Sequence, residues 1–420
     1  MRKSFSFLLA IAFLATGCSE EDILSNQVQT NVLDEELKTY LEAASNGEGL
    51  DFYKLPTQLS EIPQDPNNPL TAAKVALGKL LYHETGLATN PKLEEGRYTY
   101  SCASCHHAQG GFQACVPQGI SEGGLGFGLH GEGRYANPDY PVALLDIQPI
   151  RTPSVLNIAY QPNVLWNGQF GATHLNEGTE GQWHDESPKE WNHLGYEGTE
   201  IQAIAGMEVH RLGMTPLLFN STEYRDLYQA AFGNVGNDTL MSNVYAGLAI
   251  AAYERTVLAD EAPFQQWLNG DYQALSNKEK RGAIVFFSKG ECYQCHNGPA
   301  LSSMDFYALG MPELDGEGVY ATNFENQTVH LGRGGFTENP ADDYKFKVPQ
   351  LYNLIQSKFY GHGATFRSVE EVIRYKNVAV QESQEVPETQ LAEEFHPLNL
   401  NEQEIEDLAA FIEYGLYDRN

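Results

Sequence analysis

Two identical Cys-x-x-Cys-His frames, helix-period apolar segments beside them, and long Gly- and Pro-rich connections predict a mainly α chain. It is organised as two tandem haem domains with long loops. The frames are Cys102-Ala103-Ser104-Cys105-His106 and Cys292-Tyr293-Gln294-Cys295-His296, which use four of the six cysteines. Two thiols three positions apart on one turn can add to the two vinyl groups of one haem, and the adjacent His then reaches the iron. At this composition one such frame is expected by chance roughly 0.002 times. A four-Cys zinc site leaves each trailing His unexplained and needs pairs about 190 residues apart. A thioredoxin-like redox pair accounts for one frame and not for its His. Disulfides closing Cys-x-x-Cys loops are strained. The expectation is two covalently bound c-type haems, with His106 and His296 as iron ligands. Cys115 is left over as a small buried side chain or a free thiol.

Composition narrows the partners. With 26 basic and 56 acidic residues in 420, the net charge is -30, which excludes a chain built to coat nucleic acid or an anionic membrane. The 42% hydrophobic content suffices for real cores, and the length allows two or three domains of roughly 150 residues.

The elements follow in order. Arg2 and Lys3, the apolar run Phe5 to Leu14, and Ala15-Thr16-Gly17-Cys18 read as an export signal too short to span a membrane. Its end resembles a bacterial lipobox, with Cys18 lipidated, and Ser19-Glu20-Glu21-Asp22 resembles an acidic surface-export tag. The expected location is the periplasmic or cell-surface side of a bacterial membrane, with membrane contact only through that anchor. Residues 1–18 are read as signal peptide, 19–50 as an acidic spacer, 51–265 as the N-terminal haem domain and 266–420 as the C-terminal one. Helix periodicity marks Leu70 to Tyr82, Met241 to Leu258, Lys278 to Ser288, Val369 to Tyr375 and Asn401 to Tyr414. Gly110 to Pro153 and Asn167 to Gly198 are long connections of the kind that carry sites, and Asp260 to Leu275 reads as a hinge.

Further motifs carry a family resemblance from about Leu55 to Tyr417. Leu77-Gly78-Lys79-Leu80-Leu81-Tyr82 precedes the first frame, and Arg151-Thr152-Pro153-Ser154-Val155-Leu156-Asn157 and Leu165-Trp166-Asn167-Gly168 follow it. Then come Glu200-Ile201-Gln202-Ala203, Tyr253-Glu254-Arg255-Thr256, the stretch Gly282 to Gly298, Phe346-Lys347-Val348-Pro349 and Tyr360-Gly361-His362. In this order, with two haem frames, the chain resembles the bacterial dihaem cytochrome c peroxidases, whose relatives include the dihaem enzyme of methylamine utilisation.

The resemblance implies two cytochrome c-like domains. The first haem reduces hydrogen peroxide to water, and the second takes electrons from a small donor, a cytochrome c or cupredoxin. It implies Trp166 as the bridge between haems and Gln202 as part of the peroxide pocket. The family's catalytic Glu, ten residues beyond that Gln, is replaced here, and the acid-base role falls to Glu208 or His210. His130, on a glycine-rich loop, corresponds to the family's departing ligand of the first haem. The sixth ligand of the second haem aligns on Lys376, with Tyr375 beside it and Met304 and Met311 as substitutes. The family's interdomain calcium is left open, because Arg151 stands for an Asn ligand and Ser357-Lys358-Phe359 for a Thr-x-Pro. A homodimer is common in the family. The alternatives are a dihaem oxidase of a protein or organic substrate through a high-valent iron state, and a non-enzymatic dihaem electron carrier. A donor docking on a chain of charge -30 is expected to be basic. The insertion Gln169 to Gly198, with Trp183, His184, Trp191 and His193, matches no family motif.

Overall fold

The computed structural model describes residues 20–233, 235–316, 318–320 and 327–419, so the reading of a signal peptide and of lipidation at Cys18 lies outside the described residues. The described residues form twelve α-helices: α1 (Glu20–Ala44), α2 (Ala72–His83), α3 (Gly198–Val209), α4 (Pro216–Phe219), α5 (Thr222–Phe232), α6 (Asn237–Leu240), α7 (Asn243–Arg255), α8 (Pro263–Leu268), α9 (Asn277–Phe286), α10 (Gly334–Thr337), α11 (Val369–Val378) and α12 (Glu402–Ala410). Short 3-10 turns carry many of the connections. Among the described residues, paired strands are confined to two antiparallel ribbons, β1 (Gly124–Leu125) with β2 (Tyr135–Ala136) and β3 (Phe306–Tyr307) with β4 (Phe346–Lys347). Gly124 stands opposite Ala136, and Phe306 opposite Lys347. The mainly helical expectation is met, and no described helix is long and apolar enough to cross a membrane.

The principal helices begin where their sequences place caps. Thr71 accepts from the Lys74 amide at α2, Ser368 from the Glu371 amide at α11, and Ser276 with Glu279 and Asn401 with Glu404 form capping boxes at α9 and α12. Two pairs then cross at glycine. A methyl group on Gly78 of α2 would lie 1.8 Å from the Ala249 carbonyl oxygen of α7, and one on Gly282 of α9 would lie 1.9 Å from the Asp407 carbonyl oxygen of α12. Gly247 gives α7 a second close contact, against Ile204 of α3. Any side chain at these positions separates the backbones.

Two expectations need correction. The stretch 19–50 is no spacer over its described side chains: Leu33, Leu37 and Leu41 of α1 recur at helical spacing and are buried on α9. Asp34 lies 2.6 Å from Lys280 Nζ and accepts from Trp267 Nε1 at 2.8 Å, an ion pair enclosed on both sides. The acidic composition hid an amphipathic face. Likewise, Asp260 to Leu275 is not a free hinge, because it holds α8, whose Phe264 and Trp267 are fully buried. Gln265 accepts from the Leu55 amide and donates to Tyr53 O and Tyr352 Oη, so the division at 265/266 falls inside a packed helix.

Removing one partner of a buried ion pair strands the other. Asp34→Ala is therefore expected to lower the unfolding free energy of the haem-loaded protein by about 3–5 kcal/mol. Chemical denaturation measures it, and a loss below about 1 kcal/mol would mean that α1 is not fixed to α9.

Candidate haem cavity

The helix pairs and the turns between them enclose one cavity of about 620 Å³, and both Cys-x-x-Cys-His frames line it. Each frame is a tight turn. The amides of Cys105 and His106 both donate to Cys102 O, and those of Cys295 and His296 both donate to Cys292 O. Ser101 and Ser104 cap the first turn reciprocally, and Glu291, at φ 52°, opens the second.

His106 Nδ1 faces Phe112 O at 3.3 Å, and His296 Nδ1 faces Leu301 O at 3.2 Å and Pro349 O at 3.1 Å. A carbonyl only accepts, so Nδ1 carries the proton and Nε2 keeps its lone pair for a metal. Burial lowers both imidazoles to about 4, so both are neutral ligands at physiological pH. None of the four frame cysteines is engaged in a disulfide. Among the described residues no three His, Cys, Asp or Glu side chains converge as a metal site, so the four-Cys zinc alternative has no geometry. The residues fit two covalently attached haems, one per frame.

Around the first frame, α3 presents Gln202, Gly206, Val209 and His210 to the cavity. His210 Nδ1 lies 2.8 Å from Asp146 Oδ2, which also contacts Arg211 at 2.9 Å and accepts from Ser121 Oγ at 2.5 Å. Burial alone would push Asp146 up. The His210 hydrogen bond and charge, the Ser121 hydroxyl and the Arg211 guanidinium outweigh it and hold Asp146 at about 2. Glu208, the other acid-base candidate, is exposed outside the cavity and accepts from Trp191 Nε1 at 2.9 Å. It sits six residues from Gln202, on another face of α3.

Glu254 of α7 is a wall residue given no role from the sequence. Its carboxyl accepts from the Gln202 amide, and burial, aided by the Glu200 charge, raises it to about 8. It is thus mainly protonated at neutral pH. Its neighbour Arg255, fully buried, is turned the other way, donating to both Glu200 oxygens at 2.9 and 2.6 Å and to Glu197 at 2.9 Å.

Trp166 is half-buried in the wall of the same cavity. Its Nε1 donates to Arg151 O at 2.8 Å, its own carbonyl accepts from the Lys347 amide at 2.8 Å, and its ring meets His362 edge-on at 6.2 Å. His362 stacks on Phe346 at 3.7 Å, with Nε2 3.2 Å from Glu313. Arg333 braces the Trp166 loop through Asn167 O and Gly168 O.

At the second frame, α11 turns Val369, Val372, Ile373 and Lys376 to the cavity. Burial lowers the Lys376 amine, and its Nζ lies 5.2 Å from the Phe395 ring centre. Tyr375 is one residue off that stripe: its hydroxyl donates to Leu309 O at 2.6 Å and its ring packs between Phe366 and Phe395. Met311 is in the wall, whereas Met304 is not.

His130 stands apart from the cavity. Its Nδ1 lies 2.7 Å from Gln109 O, outside the cavity wall, and the loop carries it over Gly110. In the insertion, Trp183 and His193 pack edge to face, Trp191 covers the outer side of α3, and Gln169 and Pro188 reach the cavity. The Cys115 thiol is buried and donates to Gln356 O at 3.2 Å.

Calcium does not fit the place aligned with the family's cation. The Arg151 guanidinium occupies it, donating to Gln113 Oε1 at 2.6 Å and to Ser357 Oγ at 2.8 Å.

Comparison with known proteins agrees with this geometry. Residues 72–273 match the family model described as di-haem cytochrome c peroxidase. Cytochrome-c peroxidase IdrP1 of Pseudomonas sp. (strain SCT) is 29% identical over 382 residues, 84% of this chain and 84% of the relative. Methylamine utilization protein MauG of Methylorubrum extorquens is 28% identical over 354 residues, 84% of this chain and 80% of the relative. A solved MauG-like protein associated with microbial copper homeostasis shares the fold at TM-score 0.58 and 22% identity, over 87% of this chain and 95% of that one. The diheme peroxidase BthA of Burkholderia thailandensis does so at TM-score 0.51 and 17% identity, over 84% and 87%. With both frames opening on one cavity, the chain is similar to the di-haem cytochrome c peroxidases over these spans, and two covalently bound c-type haems are its cofactors.

Proposed function

We propose that the chain is a peroxidase of two tandem cytochrome c-like domains, reducing hydrogen peroxide to two waters with two electrons from a small donor protein and two protons. Exported and lipid-anchored at Cys18, it would act outside the cytoplasm. The observation that carries this reading is a single cavity lined by both haem frames, by Trp166 and by His210, whose Nδ1 is paired with Asp146 behind the wall. The haems, held by the four frame cysteines and by His106 and His296, supply redox-active iron.

The protein's own residues manage protons and position. Asp146 stays ionised and fixes the Nδ1–H tautomer of His210, leaving Nε2 free to take a proton and return it. Gln202 and the protonated Glu254 add a second hydrogen-bonding pair at the wall. Trp166, tied to both halves of the chain, is the bridge between the haem sites. Lys376 and Met311 are the candidate second ligands at the C-terminal haem. The oxidase alternative loses its residue-level support, since the Tyr375 hydroxyl is engaged with Leu309 O.

Turnover of peroxide by the haem-loaded protein with a reduced basic cytochrome as donor tests the reading. Because His130 is held on Gln109 outside the cavity, fast donor oxidation is expected without prior one-electron reduction. A strict need for reduction would bring that loop inward. Oxidation of an added organic or protein substrate in place of the donor would favour the oxidase, and inertness toward peroxide the electron carrier.

His210→Ala is expected to slow peroxide reduction by about 10²-fold or more, the usual reach of a lost acid-base group. An unchanged rate would shift that role to Glu254. A stability measurement isolates Glu254. Its folded pKa of about 8 lies above the ordinary 4.5, so the native chain holds a proton that the unfolded chain releases. Its contribution is fully present below the unfolded value and is lost as pH rises through about 8. Glu254→Gln, which cannot ionise, should lose less stability across that window than the parent. An identical pH slope would place a charged carboxylate in the wall.

A further inference from the structure

Arg151 is 6% exposed, and it joins parts of the chain far apart in sequence. Its guanidinium donates to Gln113, seven residues past His106, and to Ser357 in the second half. Its amide donates to His362 O at 3.0 Å, and its carbonyl receives the Trp166 indole N–H. Burial lowers it to about 10, which leaves it cationic at neutral pH. Among the described residues no carboxylate pairs with it, and Arg151 Nε and Gln113 Nε2 are buried without a partner. Lys347 of the same wall is also enclosed, with the neutral amide of Gln161 as its partner.

A buried cation without a counter-charge is costly. Haem carboxylates are anions of the class that this cation and Lys347 would meet. A divalent ion is a poor occupant here, because calcium takes six to eight oxygens and two of the available ones already accept from a guanidinium.

We propose that Arg151 is a built-in cation that fastens the two halves of the cavity and the Trp166 bridge together, so that the haem-loaded protein assembles without a divalent metal. The proposal rests on haem loading and is independent of the peroxidase reading.

The test uses the full haem-loaded chain and reads the thermal midpoint and the haem absorption bands. Both are recorded as purified, after exhaustive chelation with EDTA and EGTA, and after adding calcium chloride. The wild type is expected to be indifferent to all three conditions, with calcium well below one ion per chain by elemental analysis. Arg151→Gln should lower the midpoint by about 5 °C or more, with Arg151→Lys recovering much of the loss. A wild-type midpoint or haem spectrum that shifts on chelation and returns with calcium would overturn the proposal, as would an Arg151→Gln protein as stable as the parent. The wild-type chelation arm decides the matter even where Arg151→Gln does not fold.

Discussion

At two places one helix meets another so closely that only a hydrogen fits between them, Gly78 of α2 against the Ala249 carbonyl and Gly282 of α9 against the Asp407 carbonyl. Backbones in such contact have little freedom to slide, since interiors this close-packed transmit small volume changes as backbone shifts. The first helix of each crossing precedes a haem frame in the chain, and the second supplies cavity wall: Ile250 and Glu254 from α7, and Leu408 of α12 with Ile412 just past its end. The crossings therefore set where the frames and the facing side chains stand relative to each other.

Electrostatics then fixes which side of each helix turns inward. Arg255 is clamped to Glu200 and Glu197 on the far side of the α3–α7 contact. Consecutive helical residues point about 100° apart, so anchoring Arg255 turns Glu254 to the cavity, and anchoring Glu200 turns Gln202 to meet it. The buried ion pair and the Gln202–Glu254 pair at the wall are thus one device. Breaking the former would leave a buried charge and misplace the latter.

The frames and five helices were legible because covalent attachment demands a fixed spacing and amphipathic helices a fixed period. The same period held information not exploited. Gln202, Gly206 and Val209 of α3 and His210 at its C-cap line the cavity at i, i+4, i+7 and i+8, with Ala203 beside Gln202, which separates His210 from Glu208. On α11, Val369, Val372, Ile373 and Lys376 recur at i, i+3, i+4 and i+7, which separates Lys376 from Tyr375. In α1 the leucines at 33, 37 and 41 were masked by acidic neighbours. The placement of Arg151 and His362 was not legible, because loops bring them together through contacts between segments some 200 residues apart, as from Arg151 to Ser357, and His130 is set by its loop closing on Gln109.

Trp166 shows what the long connections are for. The residue before it, Leu165, has φ 73°, a left-handed conformation that costs a branched side chain roughly 1–2 kcal/mol. Such strain persists only where the surroundings dictate it. Here the Val164–Phe170 bridge closes the loop, Arg333 binds its carbonyls, and Arg151 and Lys347 take the indole N–H and the carbonyl of Trp166 itself. Those partners come from both halves of the chain. An aromatic ring on a flexible loop would hold no constant distance to either haem site, whereas electron tunnelling falls off exponentially with distance. The strained, multiply braced loop gives the indole the fixed position that a bridge between two sites requires.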